Sequence, residues 1–421
     1  MDDDLISNAY KYYYKHRIKK SRKKSRPQTL TKKAVKIPRG TCRLFGTIKA
    51  ISNIKNSVIV VHGPKGCVYH INYIMGMRGD KPSNVYSTCM DENDVIFGAE
   101  EKLKEAIAEL DIELNPDLLA VLSCCASSII GEDVERAVQD VDTRATVIGI
   151  ESGGFEGDYR TGYSETLKRL VEVLVQDHDT IDRSAVNLIG MLRGGPDLKE
   201  LKKLFALAGL RVNAVLTADA TLQQIKELGC AALNIVVCEA TGREAAELLE
   251  QKIGMPYIVE EIPIGYEATK RFFANVSEAL RICVNLDSLL PKPKHYEELQ
   301  LADKRVAVIG GPTRAVSMTN FLGEIGIAPK LVVVDFDSNT REKLDRLLTD
   351  KCEVLVEPEQ ETIIKKLNEM KINLIIGGML EKPMAVSLGI DHIDMMHGSQ
   401  KTLGFEGADN LIRMLRPKDV R

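Results

Sequence analysis

The amino-acid sequence predicts an α/β protein in which parallel β-sheets are flanked by helices. Three observations predict it. From about residue 40 onward, short apolar runs such as SVIVV (57–61), LLAVLSC (118–124) and ATVIGI (145–150) alternate with longer stretches at helical spacing. That alternation calls for parallel strands with helices packed on both faces. The pattern also repeats: VNLIGMLRGGPDLKELKKLFALAGLRVNAVL from Val186 and VAVIGGPTRAVSMTNFLGEIGIAPKLVVV from Val306 both read strand, Gly–Pro turn, helix, glycine, strand. Thirdly, glycine-rich turns follow the apolar runs, as in HGPKGC (62–67), RGGPD (193–197) and GGPTRA (310–315). In open α/β sheets the binding crevice lies beyond the carboxyl ends of the strands, where such turns sit. The expected architecture is three Rossmann-like domains.

Taken in order, residues 1–40 hold thirteen Lys and Arg against three Asp, a net of +10. The whole chain carries −3, so residues 41–421 carry −13. The segment KYYYKHRIKKSRKKSRPQTLTKK reads as a solvated basic arm, expected to be disordered. Such an arm suits contact with nucleic acid or an acidic partner, or serves only as a solubilising tail; one basic arm on an acidic body is weak evidence for nucleic-acid binding. The first domain, 41–185, opens with the strand Val58–Val61. It continues into DVIFGAEEKLKEAIAEL, where Ile96, Leu103, Ala106 and Leu110 predict one amphipathic helix. The second domain, 186–295, includes the strand LNIVV at Leu233. LLPKPKH, Leu289–His295, reads as a connector to the third domain, 296–421, where INLIIGG at Ile372 echoes LNIVV.

Composition narrows the class. Hydrophobic content of 44% and charged content of 28% are ordinary for a soluble globular chain of 421 residues. No apolar run approaches the roughly 20 residues of a membrane span. The N-terminus has no apolar h-region, so it is not a secretory signal. Nine cysteines without such a signal imply a reducing, cytoplasmic setting. There cysteines serve as ligands, catalytic thiols or core residues rather than disulfides.

The chemistry gathers in the turns. NSVIVVHGPKGCVYHINY runs a strand into glycines and Cys67. Such a turn suits a phosphate on backbone N–H groups, a metal or cluster on the thiolate, or a small buried cysteine. No G-x-x-x-x-G-K-[ST] occurs, so the chain has no P-loop, and no G-x-G-x-x-G follows a strand. Cysteines accumulate at strand ends of the first domain: Cys42, Cys67, the pair Cys124 and Cys125, and Cys89 just before a helix. Their spacing matches no compact C-x-x-C, so spacing leaves buried thiols and an iron–sulfur cluster equally open.

The motifs VVHGPKGCVYH, STCMDENDVIFGAEEKLKEAI and SCCASSIIGEDVE resemble, in order and spacing, the first domain of nitrogenase component 1 and its relatives. IESGGFEGDY, LNIVVCEATGREAAELLEQKIGMPYI and IDMMHGSQKTLGFEGADNLI continue the resemblance over about residues 40–415. It implies three Rossmann-like domains, paired subunits, a 4Fe–4S cluster at the subunit interface, and a separate iron protein-like ATPase that delivers electrons. ATP and Mg²⁺ then belong to that partner. The cluster cysteines fall on Cys42, Cys67 and Cys125. Cys125 precedes ASSIIGED at the family spacing; the fourth ligand stays open between Cys124, Cys89 and the partner subunit. Cys238 and His397 match positions that hold the nitrogenase cofactor. In relatives without that cofactor the same cavity takes a tetrapyrrole.

Tyr163 and Ser164 stand where nitrogenase carries two histidines, which puts dinitrogen chemistry in doubt. Among simpler relatives the chain most resembles the catalytic component that reductively cyclises Ni-sirohydrochlorin a,c-diamide in coenzyme F430 synthesis. The resemblance then implies a nickel tetrapyrrole held between domains; family members form dimers or heterotetramers, and as nothing in the sequence points to a second subunit type, a symmetric homodimer is expected. His62, Arg243, His392 and Lys401 are candidate substrate contacts, and Cys238, Glu239 and His397 candidate reactive or proton-donating groups. Three alternatives remain: another reductase of the family, a scaffold for cofactor assembly, and a small-molecule binding or glycosyl-transferring protein. The cysteines and the missing nucleotide signatures argue against the last.

Overall fold

Valine, isoleucine and leucine runs form the strands, since β-branched and aliphatic side chains pack well on a pleated surface. The computed structural model describes residues 41–77, 84–283, 304–336, 340–348, 352–395 and 400–416. The basic arm, the connector Leu289–His295 and His397 lie outside these residues. Among the described residues the strands make three sheets, all parallel. β1 (Ser57–His62), β2 (Val85–Ser87), β3 (Leu118–Ser123) and β4 (Thr146–Ile150) pair in the order β2-β1-β3-β4. β5 (Asp182–Met191), β6 (Arg211–Thr217), β7 (Ala231–Val236) and β8 (Tyr257–Val259) follow the order β6-β5-β7-β8. The third sheet joins β9 (Val306–Gly310), β10 (Leu331–Val334), β11 (Glu353–Val356), β12 (Leu374–Gly377) and β13 (Asp391–Asp394) as β11-β10-β9-β12-β13.

The first two sheets belong to one compact unit, residues 40–295 with 398–412; the third belongs to another, 296–397 with 413–421. Within the first unit, β1 and β3 are buried along their whole length, as a sheet covered on both faces requires. Val58, Val60, Leu119 and Val121 pack on one face with Leu103, Ile107 and Leu110. Ile59, Val61, Leu118 and Leu122 turn to the other and join Phe45, Ile48, Ile71 and Leu167. This alternation is the two-residue period of a strand.

The internal repeat is structural. β5 leads to the helix Pro196–Leu207, then Gly209 at φ 74° and β6. β9 leads to the helix Pro312–Glu324, then Gly326 at φ 78° and β10. Both helices carry proline in their first turn, where its missing N–H costs nothing, and each ends near a left-handed glycine.

One expected helix is two. Gly98, at φ 88°, breaks the run into Glu92–Phe97 and Glu100–Leu114. Leu103, Ile107 and Leu110 are buried as an amphipathic face, but Ile96 is 71% exposed and Phe97 83%. The apolar spacing across Gly98 joined two faces that point different ways.

Two glycines set the position of the segment that carries Cys42. The helices Arg43–Ile51 and Tyr159–Leu174 cross at Gly46 and Gly162. A Cβ on Gly46 would stand 2.0 Å from the Tyr159 carbonyl oxygen, and one on Gly162 would stand 2.0 Å from that of Arg43. The backbones touch there, so neither position admits a side chain.

Candidate metal centre

The order β2-β1-β3-β4 reverses direction between β1 and β3, and a ligand crevice opens beyond the carboxyl ends at such a switch point. Cysteines occupy that edge. Cys67 lies in the first turn of the helix Lys65–Met77, which follows β1. Cys124 caps the helix Cys125–Ile130, which follows β3, and Cys125 opens it. Cys42 precedes the helix Arg43–Ile51 and makes an antiparallel bridge to Asp158, just beyond β4. Chain segments far apart in sequence thus bring four thiols to one end of one sheet.

Gly154 shows how close they come. A Cβ there would lie 3.0 Å from Cys125 Sγ, 3.2 Å from Cys42 Cβ and 3.7 Å from Cys42 Sγ. The Gly154 N–H donates to Cys125 Sγ at 3.2 Å. Cys67 and Cys124 form a second pair. The Cys67 thiol is pushed up, first by its hydrogen bond to Cys124, then by burial and by the charges of Cys124, Cys125 and Cys42. Cys124 is held below the ordinary thiol range, first by the bond from Cys67 and then by donors from Ser127 and Ala126. The Ala126 N–H reaches Cys124 Sγ at 3.3 Å. Cys124 is 1% exposed, and its sulfur would stand 2.2 Å from a Cβ on Gly63. Cys89 takes a left-handed conformation at φ 52° and is exposed.

The donor set fits an iron–sulfur cluster. Thiolates are its usual ligands, and N–H···S hydrogen bonds are among the levers on its potential. Among the described residues no group of three or more His, Cys, Asp and Glu is drawn in to hold a single metal ion. Cluster ligands bind different irons, so their sulfurs stand farther apart than those around one ion. The space over Gly154, which any side chain would fill, lies between Cys42 and Cys125. The four thiols Cys42, Cys67, Cys124 and Cys125 at this edge include the three that the resemblance implies would hold the cluster, Cys42, Cys67 and Cys125.

Exposed apolar side chains flank the cysteines. Tyr69 and Tyr73 follow Cys67 on its helix, Ile129 follows Cys125 on its own, and Phe155 adjoins Gly154. Ile96 and Phe97 belong to the helix Glu92–Phe97, which packs against Cys125–Ile130.

The remaining sequence-derived residues fall elsewhere. His62, at the end of β1, is fully buried: Nδ1 meets Thr88 Oγ1 at 3.0 Å and Nε2 meets Glu132. Cys238 is 6% exposed and stands at the end of β7, beyond the switch point of the second sheet. A Cβ on Gly190 would be 2.9 Å from its Cβ. Tyr163 is buried nearby; burial pushes its phenol up, and the charges of Tyr159 and Cys238 add to this. Arg243 pairs with Glu239 at 2.7 Å and Glu247 at 3.0 Å. Lys401 lies between Glu200, at 3.2 Å, and Glu406. His392, on β13, has Nε2 2.9 Å from the Gly378 carbonyl oxygen. Sequence reasoning passed over Gly154 and Glu132. The signal for Gly154 was the doubled glycine before FEGDY; Glu132 had none.

Known proteins resemble this chain along most of its length. A NifE protein of Methanosarcina barkeri, named for nitrogenase iron-molybdenum cofactor biosynthesis, is 26% identical over 91% of this chain and 88% of its own. A light-independent protochlorophyllide reductase chain from Chaetosphaeridium globosum is 26% identical over 87% of this chain and 80% of its own. The solved structure of nitrogenase Cp1 at pH 6.5 superposes with a TM-score of 0.79 at 21% identity, covering 92% of this chain and 93% of that one. The family described as nitrogenase component 1 type oxidoreductase matches residues 42–416, and the chain belongs to it.

Proposed function

We propose that this chain is the catalytic component of an iron–sulfur reductase that reduces and cyclises Ni-sirohydrochlorin a,c-diamide, with electrons from a nitrogenase iron protein-like ATPase. The observation that carries the reading is the convergence of Cys42, Cys67 and Cys125 at the β1–β3 switch point, on a chain with no P-loop. A 4Fe–4S cluster bound there would supply electrons one at a time. The kinship with a protochlorophyllide reductase chain supports a tetrapyrrole substrate. So does the replacement of a polar, titratable histidine pair by buried Tyr163 and Ser164.

In this reading the cysteine-bearing loops hold the cluster, and the exposed apolar side chains around them meet a second copy of the chain in a homodimer. Cys238, at the end of β7, and His397 are the groups that act on the substrate. Arg243 is one helical turn beyond Cys238. A substrate carboxylate would reach Arg243 by displacing Glu239 or Glu247, and Lys401 by displacing Glu200 or Glu406.

A second reading, a scaffold for cofactor assembly, is favoured by the kinship with a NifE protein. Visible and EPR spectra of anaerobically purified chain, with and without nickel sirohydrochlorin diamide, separate the two. Loss of the tetrapyrrole absorption on adding the iron protein and ATP supports the reductase. A stable cluster without tetrapyrrole binding supports the scaffold. Absence of iron after reconstitution overturns both.

A further inference from the structure

Arg43 follows Cys42 directly, and its side chain is only 12% exposed. One guanidinium nitrogen is paired with Glu156 and the other with Glu165 at 2.7 Å. Its backbone N–H donates to the Gly157 carbonyl at 3.2 Å, and the Tyr159 N–H donates to the Thr41 carbonyl at 2.9 Å. The Arg43 Nε is buried and has no hydrogen-bond acceptor, and Glu165 Oε2 meets Arg43 at ion-pair distance without an aligned hydrogen bond. A cation is therefore held mostly out of water between the loop 153–158, which bears Glu156, and the helix Tyr159–Leu174, which bears Glu165, at the cost of a buried donor. That loop, 153–158, carries Gly154, whose N–H rests on Cys125 Sγ and whose Cα adjoins Cys42.

We propose that Arg43 is a positioning residue for the metal–thiolate site: by pairing with Glu156 on the loop and Glu165 on the helix Tyr159–Leu174 it ties the loop to that helix, and so sets the Gly154 N–H on Cys125 and the spacing between Cys125 and Cys42. The inference rests on the cluster reading above. A planar, forked guanidinium presents separate nitrogens in a fixed geometry to the two carboxylates, whereas an ammonium is a single point charge, so Arg43→Lys restores part of the clamp. The N–H···S bond stabilises the more negative, reduced state of a bound cluster. Loosening the loop therefore lowers the reduction potential and opens the Cys42–Cys125 edge.

The test uses the full chain, anaerobically reconstituted with iron and sulfide. The parent, Arg43→Gln, Arg43→Lys and Glu156→Gln are compared by iron content, by the rate of iron loss to a chelator, and by EPR-monitored redox titration. Arg43→Gln is expected to lose iron several-fold faster and to shift the midpoint to lower potential. Arg43→Lys should lie between it and the parent, and Glu156→Gln should shift the same way. Should Arg43→Gln fail to fold, Glu156→Gln carries the comparison. Parental potential and iron retention in the variants, with only a lower melting temperature, overturn the positioning role. A parent that takes up no iron overturns the cluster reading instead.

Discussion

Cys125 and Cys352 have the same chemistry and opposite surroundings. Cys125 shares the Gly154 space with Cys42 and takes a backbone N–H on its sulfur. Cys352 stands just before β11, where burial pushes its thiol up to about 11. Cys352 lies in the other compact unit and is not among the thiols gathered at the edge of the first sheet, so Cys125→Ala should lose most bound iron while Cys352→Ala keeps it, as read by iron content after reconstitution. Glu406 offers a pH signature. Hydrogen bonds from Lys203 and then Lys401 hold its carboxyl down to about 2, against an ordinary 4.5. A depressed folded-state value adds stability above the unfolded value, and that stability is lost as pH falls from about 4.5 towards 2. Solvent screens the pair, as both side chains are about half exposed. Urea midpoints of Glu406→Gln should therefore fall less steeply with acid than those of the parent. A parallel pH dependence in both would count against this account.

The decisive element is the crossing of the helices Arg43–Ile51 and Tyr159–Leu174. A methyl on Gly162 would press on the Arg43 carbonyl, and backbone cannot rotate away as a side chain can. Overpacking a closed core costs roughly 1–3 kcal/mol, and this contact belongs at or above the upper end. Gly162→Ala should lower unfolding stability by about 3 kcal/mol or more in urea, and loosen iron binding through Cys42. Gly323→Ala, whose added methyl meets nothing within 4 Å, is the control and should be close to neutral. The split at Gly98 belongs to this scale too. Helical periodicity was legible on each side of it, but not the change of direction, because a left-handed glycine leaves no mark on apolar spacing.

At the scale of the whole molecule, the exposed side chains around the cysteines set the expected assembly. Phe97, Phe155, Tyr69 and Ile129 are each at least 70% exposed, which is unusual for so many large apolar groups around one site. A homodimer formed across that face would bury them. Sedimentation of the reconstituted chain should give a dimer, and Phe97→Asp with Ile129→Asp should give a folded monomer. A double variant that remains dimeric would move the interface elsewhere. Among the described residues no helix is long and apolar enough to cross a membrane.

Strand positions, the parallel α/β class and the repeat of β5–β6 in β9–β10 were all legible in the sequence. They follow from local periodicity and from proline and glycine at helix ends, which act over a few residues. Family membership was legible as well, because VVHGPKGC and SCCASSIIGED keep a spacing that folding constrains. Which thiols meet was not legible from spacing. Cys42, Cys67 and Cys125 lie in three separate segments, and only the strand order β2-β1-β3-β4 carries those segments to one sheet edge. The same holds for His62, which a motif places beside the site but whose burial against Thr88 and Glu132 turns it inward. Lys401 and Arg243 read as candidate substrate contacts in sequence, and the fold gives each two carboxylates of its own chain. Local pattern determines what a segment becomes; only the packing of distant segments decides which side chains share a space.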